Sequence, residues 1–153
     1  MALSPGDKAP EISLEDQNGK IQSSKNLKRN KLLLFFYPKD GTPGCTAEVC
    51  EFRDKFSKFK KLGLTVWGVS NDNRNSHERF AKEFSLPYPI LQDKNNLLRK
   101  AFNIPNNFGI LPRRVTFIID ENGIVLFVYE NLLDGPSHVI KAIEFLEKAN
   151  INE

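Results

Sequence analysis

The chain has 153 residues, of which 40% are hydrophobic, 27% charged and 10% aromatic, which suits one domain (1–153) with its own core and excludes a disordered or disulfide-stapled chain. The net charge of +3 is only mildly basic, and Lys25, Lys28, Arg29, Lys31 and Lys55, Lys58, Lys60, Lys61 read as solvated faces rather than a nucleic-acid patch, since interleaved aromatics and a recognised module are missing. No apolar run reaches membrane-span length and the segment Met1–Gly6 lacks a signal-peptide core, so the expectation is a soluble chain in a reducing compartment, cytoplasmic, or plastidic if a transit peptide was removed.

In chain order, Glu11–Leu14 and Lys20–Gln22 flank Asn18-Gly19 and read as a small hairpin. Leu32–Tyr37 is an aliphatic and aromatic run, predicted to be a buried strand. Thr42 then offers an N-cap and Pro43 a first helical residue whose missing N–H costs nothing. Val49, Phe52, Phe56 and Phe59 recur at spacings of three and four, predicting one continuous helix that stops at Gly63. Leu64–Val69 reads as a second central strand, Ser76–Phe84 as a helix capped by Ser76, Ile90-Leu91 as a short strand and Asn96–Phe102 as a helix. Val115–Ile119 and Ile124–Tyr129 flank Asp120-Glu121-Asn122-Gly123 as a hairpin, and Pro136–Ala149 closes the chain as an amphipathic helix. This order predicts an α/β protein: a mixed sheet with helices on both faces, the thioredoxin-like plan with an N-terminal hairpin added.

Both cysteines fall just after the first strand, Cys45 in the first turn of the predicted helix and Cys50 five residues later. Unpaired N–H groups and the positive end of the helix dipole stabilise a thiolate at such a place. A free thiol near pKa 8.5 is only about 3% ionised at pH 7, so a cationic partner is also expected. Arg113 and Arg114, entering the Val115–Ile119 strand, are the candidates. Pro43 and Gly44 are expected to leave the first turn accessible. In an unbroken α-helix, residues five apart have Cα atoms roughly 8.7 Å apart, and a disulfide needs less than about 7 Å. The two thiols therefore bond only if the first turns unwind. The C-x₄-C spacing is not that of a C-x-x-C disulfide exchanger. His77 and His138 lack ligand spacing with the cysteines, so no metal site is expected. His77 reads as a surface or locally hydrogen-bonded residue.

The stretch Tyr37-Pro38-Lys39-Asp40-Gly41-Thr42-Pro43-Gly44-Cys45-Thr46 resembles the active-site signature of peroxiredoxins, most closely the bacterioferritin-comigratory/peroxiredoxin Q branch. It contains the wider P-x₃-T-x₂-C pattern as Pro38, Thr42 and Cys45. Pro5–Pro10, Phe52-Arg53-Asp54, Ser76-His77, Leu86-Pro87-Tyr88, Phe108–Pro112 and Arg114–Phe117 extend the resemblance over nearly the whole chain. It implies that Cys45 is the peroxidatic nucleophile and Cys50 the resolving cysteine within one chain. It also implies that Thr42 binds the attacked peroxide, Arg114 holds thiolate and peroxide together, Pro38 shields the site from water and Glu48 orients the arginine. Ala101-Phe102 stands where a tryptophan-containing pair is common.

The expected activity is a thiol peroxidase acting on hydrogen peroxide and organic hydroperoxides, recycled by thioredoxin or a glutaredoxin-like dithiol. No cofactor, nucleic acid or membrane is expected, and a monomer suffices for an intramolecular disulfide. A general disulfide reductase and a non-catalytic redox-sensor module of the same fold are the rival readings.

Overall fold

The structure is a computed structural model and describes residues 2–27, 30–107 and 111–151. Lys28 and Arg29 of the first basic group and Phe108–Ile110 of the resembling segment lie outside these. The chain begins with the expected hairpin, β1 (Ser13–Glu15) antiparallel to β2 (Ile21–Ser23). Asp16 organises its turn, its carboxylate accepting from the N–H groups of Asn18 and Lys20. The main sheet contains β3 (Lys31–Phe36), β4 (Leu64–Ser70), β5 (Ile90–Gln92), β8 (Val115–Ile119) and β9 (Val125–Glu130), with a two-residue pair, β6 (Asn106–Asn107) and β7 (Leu111–Pro112), between β5 and β8 in sequence. Strand order is β5-β4-β3-β8-β9; β3, β4 and β5 run parallel, while β8 and β9 are antiparallel to their neighbours.

Among the described residues there are five α-helices, α1 (Pro43–Asp54), α2 (Phe56–Lys61), α3 (Arg74–Glu83), α4 (Leu97–Ala101) and α5 (Gly135–Ile151), besides two short 3-10 turns. Strand alternation divides the core into two layers. Leu33, Phe35 and Tyr37 of β3 and the residue after it point to one face, where they meet Val49 and Phe52 of α1, Phe59 of α2, Phe80 of α3 and Val139 and Leu146 of α5. Leu32, Leu34 and Phe36 point to the other, against Phe117, Leu98 of α4, Phe102 and Ile12. The mixed sheet covered on both faces is the arrangement expected from the sequence.

Three local expectations are corrected. The helix from Pro43 to Gly63 is two helices, broken at Lys55, whose backbone leaves helical geometry (φ −101°, ψ 7°). The apolar spacing persists across the break because both segments pack on the same core, so periodicity conceals it. Helix α3 starts two residues before Ser76: Asn73 is the N-cap, its side-chain oxygen accepting from the Ser76 N–H at 2.9 Å. Thr42 occupies the N-cap of α1 but its side chain does not cap the helix; its hydroxyl instead turns to donate to the Lys39 carbonyl at 3.0 Å.

Gly68 of β4 shows how tightly the first layer is filled. A Cβ there would lie 2.8 Å from Phe35 Cζ and 3.1 Å from Ile90 Cγ2. Gly68→Ala is expected to cost about 1–3 kcal/mol through overpacking. Urea unfolding measures it, and a wild-type midpoint would show that Phe35 moves aside freely.

Candidate active site

The site forms where the start of α1 meets the end of β8 that is paired with Phe36. The first helical bond of α1 runs from Thr46 N–H to the Thr42 carbonyl at 2.8 Å, and no side chain caps the helix. The N–H groups of the first turn therefore remain directed at whatever lies at the helix start, and Cys45 is the third residue of that turn.

Antiparallel pairing of β3 with β8 sets Val115 opposite Phe36, and the residue before Val115 then reaches the helix start. Arg114 does so. Its Nη1 lies 3.4 Å from Cys45 Sγ and donates to Glu48 Oε1 at 2.5 Å, while its Nε donates to the Leu132 carbonyl at 3.1 Å. Arg113, its neighbour, turns the other way and pairs with Glu130 at 2.7 Å, as alternation along an extended chain demands. Of the two candidate arginines the structure thus brings Arg114 to Cys45. Burial alone would lower the proton affinity of the Arg114 guanidinium; Glu48 and Cys45 beside it outweigh that and hold it above its ordinary value. The positive charge at the sulfur is permanent.

Glu48 lies one helical turn beyond Cys45 and is completely buried. Burial pushes its carboxyl up to about 8, against the pull of Arg114. Its second oxygen, Oε2, has no hydrogen-bond partner among the described residues. His138 Nδ1 of α5 lies 3.8 Å from it. Burial lowers His138 to about 4, so the ring is neutral. Its Nε2 faces the Asn131 carbonyl at 2.9 Å and must donate, leaving Nδ1 to accept from the Thr116 hydroxyl at 2.8 Å. The ring is therefore fully engaged and adds no charge beneath Glu48.

Cys45 is 1% exposed, which corrects the expectation of an accessible first turn. The start of α5 and Arg114 close over it: a Cβ on Gly135 would lie 2.8 Å from the Gly44 carbonyl oxygen and 2.7 Å from Glu48 Cβ, and one on Gly44 3.2 Å from Arg114 Nη2. Gly44 in the turn reflects close approach of another element rather than openness. Cys50 is partly buried on the same unbroken α1, and both thiols are free. Burial pushes the Cys50 thiol up, although Arg53 pulls it down. Pro38 is half-buried in the loop before α1, and Thr42 stands at the helix start with Cys45.

Sequence reasoning missed two residues. Arg99 of α4 is buried and reaches the same end of the sheet, its guanidinium donating to the carbonyls of Tyr37 at 3.3 Å and Arg113 at 2.5 Å. It ties the end of β3 to the segment that delivers Arg114. Burial lowers it to about 10, still cationic at neutral pH. An arginine in a short helix carries no distinctive local signal. In the sequence His138 stands out only as a histidine without metal-ligand spacing; its place beside Glu48 depends on the packing of α5. His77, expected at the surface or in a local hydrogen bond, is fully buried and hydrogen-bonded.

A mixed sheet of this topology, with an arginine-paired cysteine at an uncapped helix start, defines a thiol-redox protein of thioredoxin-like plan. The model of the AhpC/TSA family matches residues 5–128. The chain is 43% identical over 148 residues to chloroplastic peroxiredoxin Q of Arabidopsis thaliana, covering 96% of this chain and 68% of that protein. Among solved structures, peroxidoxin BcpB of Mycobacterium tuberculosis superposes with a TM-score of 0.88 at 32% identity, covering 95% of this chain and 97% of the other. A PrxQ mutant of Xylella fastidiosa gives a TM-score of 0.85 at 26% identity, covering 99% and 98%. The chain belongs to the AhpC/TSA family, in its peroxiredoxin Q branch. It is a thiol-dependent peroxidase, an oxidoreductase that reduces a peroxide at the expense of a thiol.

The raised Glu48 carboxyl gives a signed prediction. The folded chain holds a proton that the unfolded chain releases, so this group's stabilisation is complete below pH 4.5 and is lost as pH rises through about 8. Unfolding free energy measured across that window should fall more steeply for wild type than for Glu48→Gln. Parallel curves would show that Glu48 ionises normally.

Proposed function

We propose that Cys45 is the peroxidatic nucleophile, Cys50 the resolving thiol, and Arg114 the cation that aligns thiolate and peroxide. The observation that carries this reading is the contact of Arg114 with both Cys45 Sγ and Glu48 at a helix start without a side-chain cap. The Cys45 thiolate attacks the distal peroxide oxygen; an S–O bond forms and the O–O bond breaks. The departing oxygen takes the bonding pair and then a proton, leaving as water or an alcohol. Negative charge moves from sulfur to that oxygen, and Arg114 with the N–H groups of the first turn is preorganised to hold it. Thr42 supplies a hydroxyl at the same end, with its oxygen still able to accept from the peroxide. Pro38 limits water, and Glu48 fixes the arginine's position.

Cys45 is then a sulfenic acid. Cys50 condenses with it, releasing water and forming the Cys45–Cys50 disulfide. The intact α1 keeps the thiols too far apart for this, so its first turns unwind in the cycle. Burial holds Cys50 as the thiol until then. A dithiol of the thioredoxin class, or a glutaredoxin-like one, then restores both thiols by exchange. The cycle closes within one chain and needs no partner copy, which supports a monomer; the proposed compartment is the cytoplasm, or a plastid as for the chloroplastic relatives. Hydrogen peroxide and organic hydroperoxides are the proposed substrates.

Peroxide consumption coupled to a thioredoxin system tests the assignment. Cys45→Ser should abolish turnover, and its survival would sink the reading. Cys50→Ser should form a sulfenic acid in one turnover and then stall; unchanged steady-state turnover would remove the resolving role. Arg114→Met should slow the attack by about 100-fold or more, the scale of losing a preorganised donor to developing charge. Non-reducing mass analysis after one equivalent of peroxide should give a monomer lacking two hydrogens, whereas a disulfide-linked dimer would contradict the one-chain mechanism.

A further inference from the structure

The loop between β3 and α1 carries Pro38 and Thr42, and its centre is Asp40. Several groups from outside α1 converge on that residue. Tyr37 Oη donates to Asp40 Oδ1 at 2.6 Å, and Ser76 Oγ of α3 donates to Oδ2 at 2.9 Å. His77 Nδ1, also of α3, lies 2.6 Å from the same Oδ2, with both side chains buried. The Asp40 backbone N–H donates to Asp72 Oδ2 at 2.8 Å, and the Ser70 hydroxyl donates to that oxygen at 2.6 Å.

The chemistry of the ring fixes what this contact is. His77 Nε2 lies 3.0 Å from the Leu91 carbonyl of β5, which can only accept. Nδ1 faces a carboxylate oxygen. Both ring nitrogens therefore face acceptors, and a neutral imidazole carries one hydrogen for two places. A short hydrogen bond of 2.6 Å therefore joins the ring to the carboxylate. Tyr37 remains a phenol and a donor, since burial first and Asp40 second raise its proton affinity.

We propose that the Asp40–His77 pair is a positioning clamp for the peroxide loop, fixing Pro38 and Thr42 in the attack geometry by anchoring them to α3 and β5. The proposal rests on the assignment of Cys45 as nucleophile. Asp40 and His77 are positioning residues, hydrogen-bonded to Tyr37, Ser76, Leu91 and each other rather than to Cys45 or Arg114. Thr42 follows Asp40 by two residues, with Gly41 in the left-handed region (φ 80°) between them, so the direction of the chain at Asp40 sets where the threonine falls. The anchor lies outside the helix that must unwind. Losing the clamp should therefore slow attack on the peroxide and leave the later closure to Cys50 as fast as before or faster.

The test separates those two steps. Sulfenic acid formation is followed in a Cys50→Ser background by rapid quenching, trapping with a 1,3-dione and mass analysis; disulfide closure is followed with Cys50 present. His77→Phe and Asp40→Ala should each slow sulfenic acid formation by about 10- to 100-fold, the scale of a misplaced reacting group. Asp40→Asn should stay near the wild-type rate: its amide can donate to Nδ1 of a neutral His77 while its oxygen accepts from Tyr37. Val125→Ala, in the opposite core layer, serves as a control for lost stability alone and should attack peroxide at the wild-type rate.

His77→Phe and Asp40→Ala at the wild-type rate would overturn the clamp. So would a loss no greater than in Val125→Ala at matched stability, a loss in Asp40→Asn equal to that in Asp40→Ala, or closure slowed in parallel with attack. A Cys50→Ser protein with an intact Asp40–His77 pair that forms no sulfenic acid at all would instead sink the Cys45 assignment.

Discussion

The site depends on one register. Phe36 of β3 faces Val115 of β8, so the end of one strand and the start of the next lie side by side beneath the first turn of α1. Cys45 and Arg114, 69 residues apart in sequence, meet only because of that pairing. Slipping β8 by one residue would bring Arg113 inward and turn Arg114 to Glu130 and solvent. It would also exchange the two sets of apolar residues that β8 shares between the layers. The two core layers thus hold the register, and the register delivers the cation.

Delivering a cation into a buried place costs desolvation, and the surroundings show how it is offset. Arg114 is satisfied by Glu48, by the Leu132 carbonyl and by the sulfur itself. His138 beneath is kept neutral, and Glu48 is pushed toward its neutral form. A fully ionised Glu48 would divide the arginine's field between its own charge and the sulfur. A protonated Glu48 still accepts a hydrogen bond through Oε1 and leaves the positive charge to the sulfur. Fixing the arginine and neutralising it are separable tasks, and the burial of Glu48 favours the first.

Much of this was legible in the chain because the relevant signals are local. The run Leu32–Tyr37, the Thr42-Pro43 helix start and the Asp120–Gly123 turn each encode their element within a few residues, and together they give the sheet and the place of Cys45. The choice of Arg114 over Arg113 came from a resemblance; alternation alone leaves the phase of a strand open until its partner is known. The break at Lys55 and the shift of the α3 cap to Asn73 escaped because neither changes the apolar period. Arg99, His138 and the burial of His77 depend on contacts between distant segments. Exposure was misjudged at Cys45 for the same reason: Gly44 looks open in sequence, while in the fold it is where α5 and Arg114 come closest.

The same geometry makes activation and resolution mutually exclusive in the proposed cycle. Between Cys45 and Cys50 lie Glu48 and Val49, both completely buried. Glu48 holds Arg114, and the Val49 carbonyl accepts from the Tyr88 hydroxyl at 2.7 Å. Drawing Cys45 toward Cys50 must rotate or displace this segment, and each hydrogen bond given up costs about 0.5–1.5 kcal/mol in addition to the exposure of Val49. A Cys45 that leaves the helix start also leaves the first-turn N–H groups and Arg114. The disulfide form therefore lacks the site that made the sulfur reactive, and reduction must precede refolding of the turn before a second peroxide can be attacked. Chemistry at Cys45 thus waits on a folding event in α1, whose cost is set by the packing of Glu48 and Val49 rather than by the helix alone.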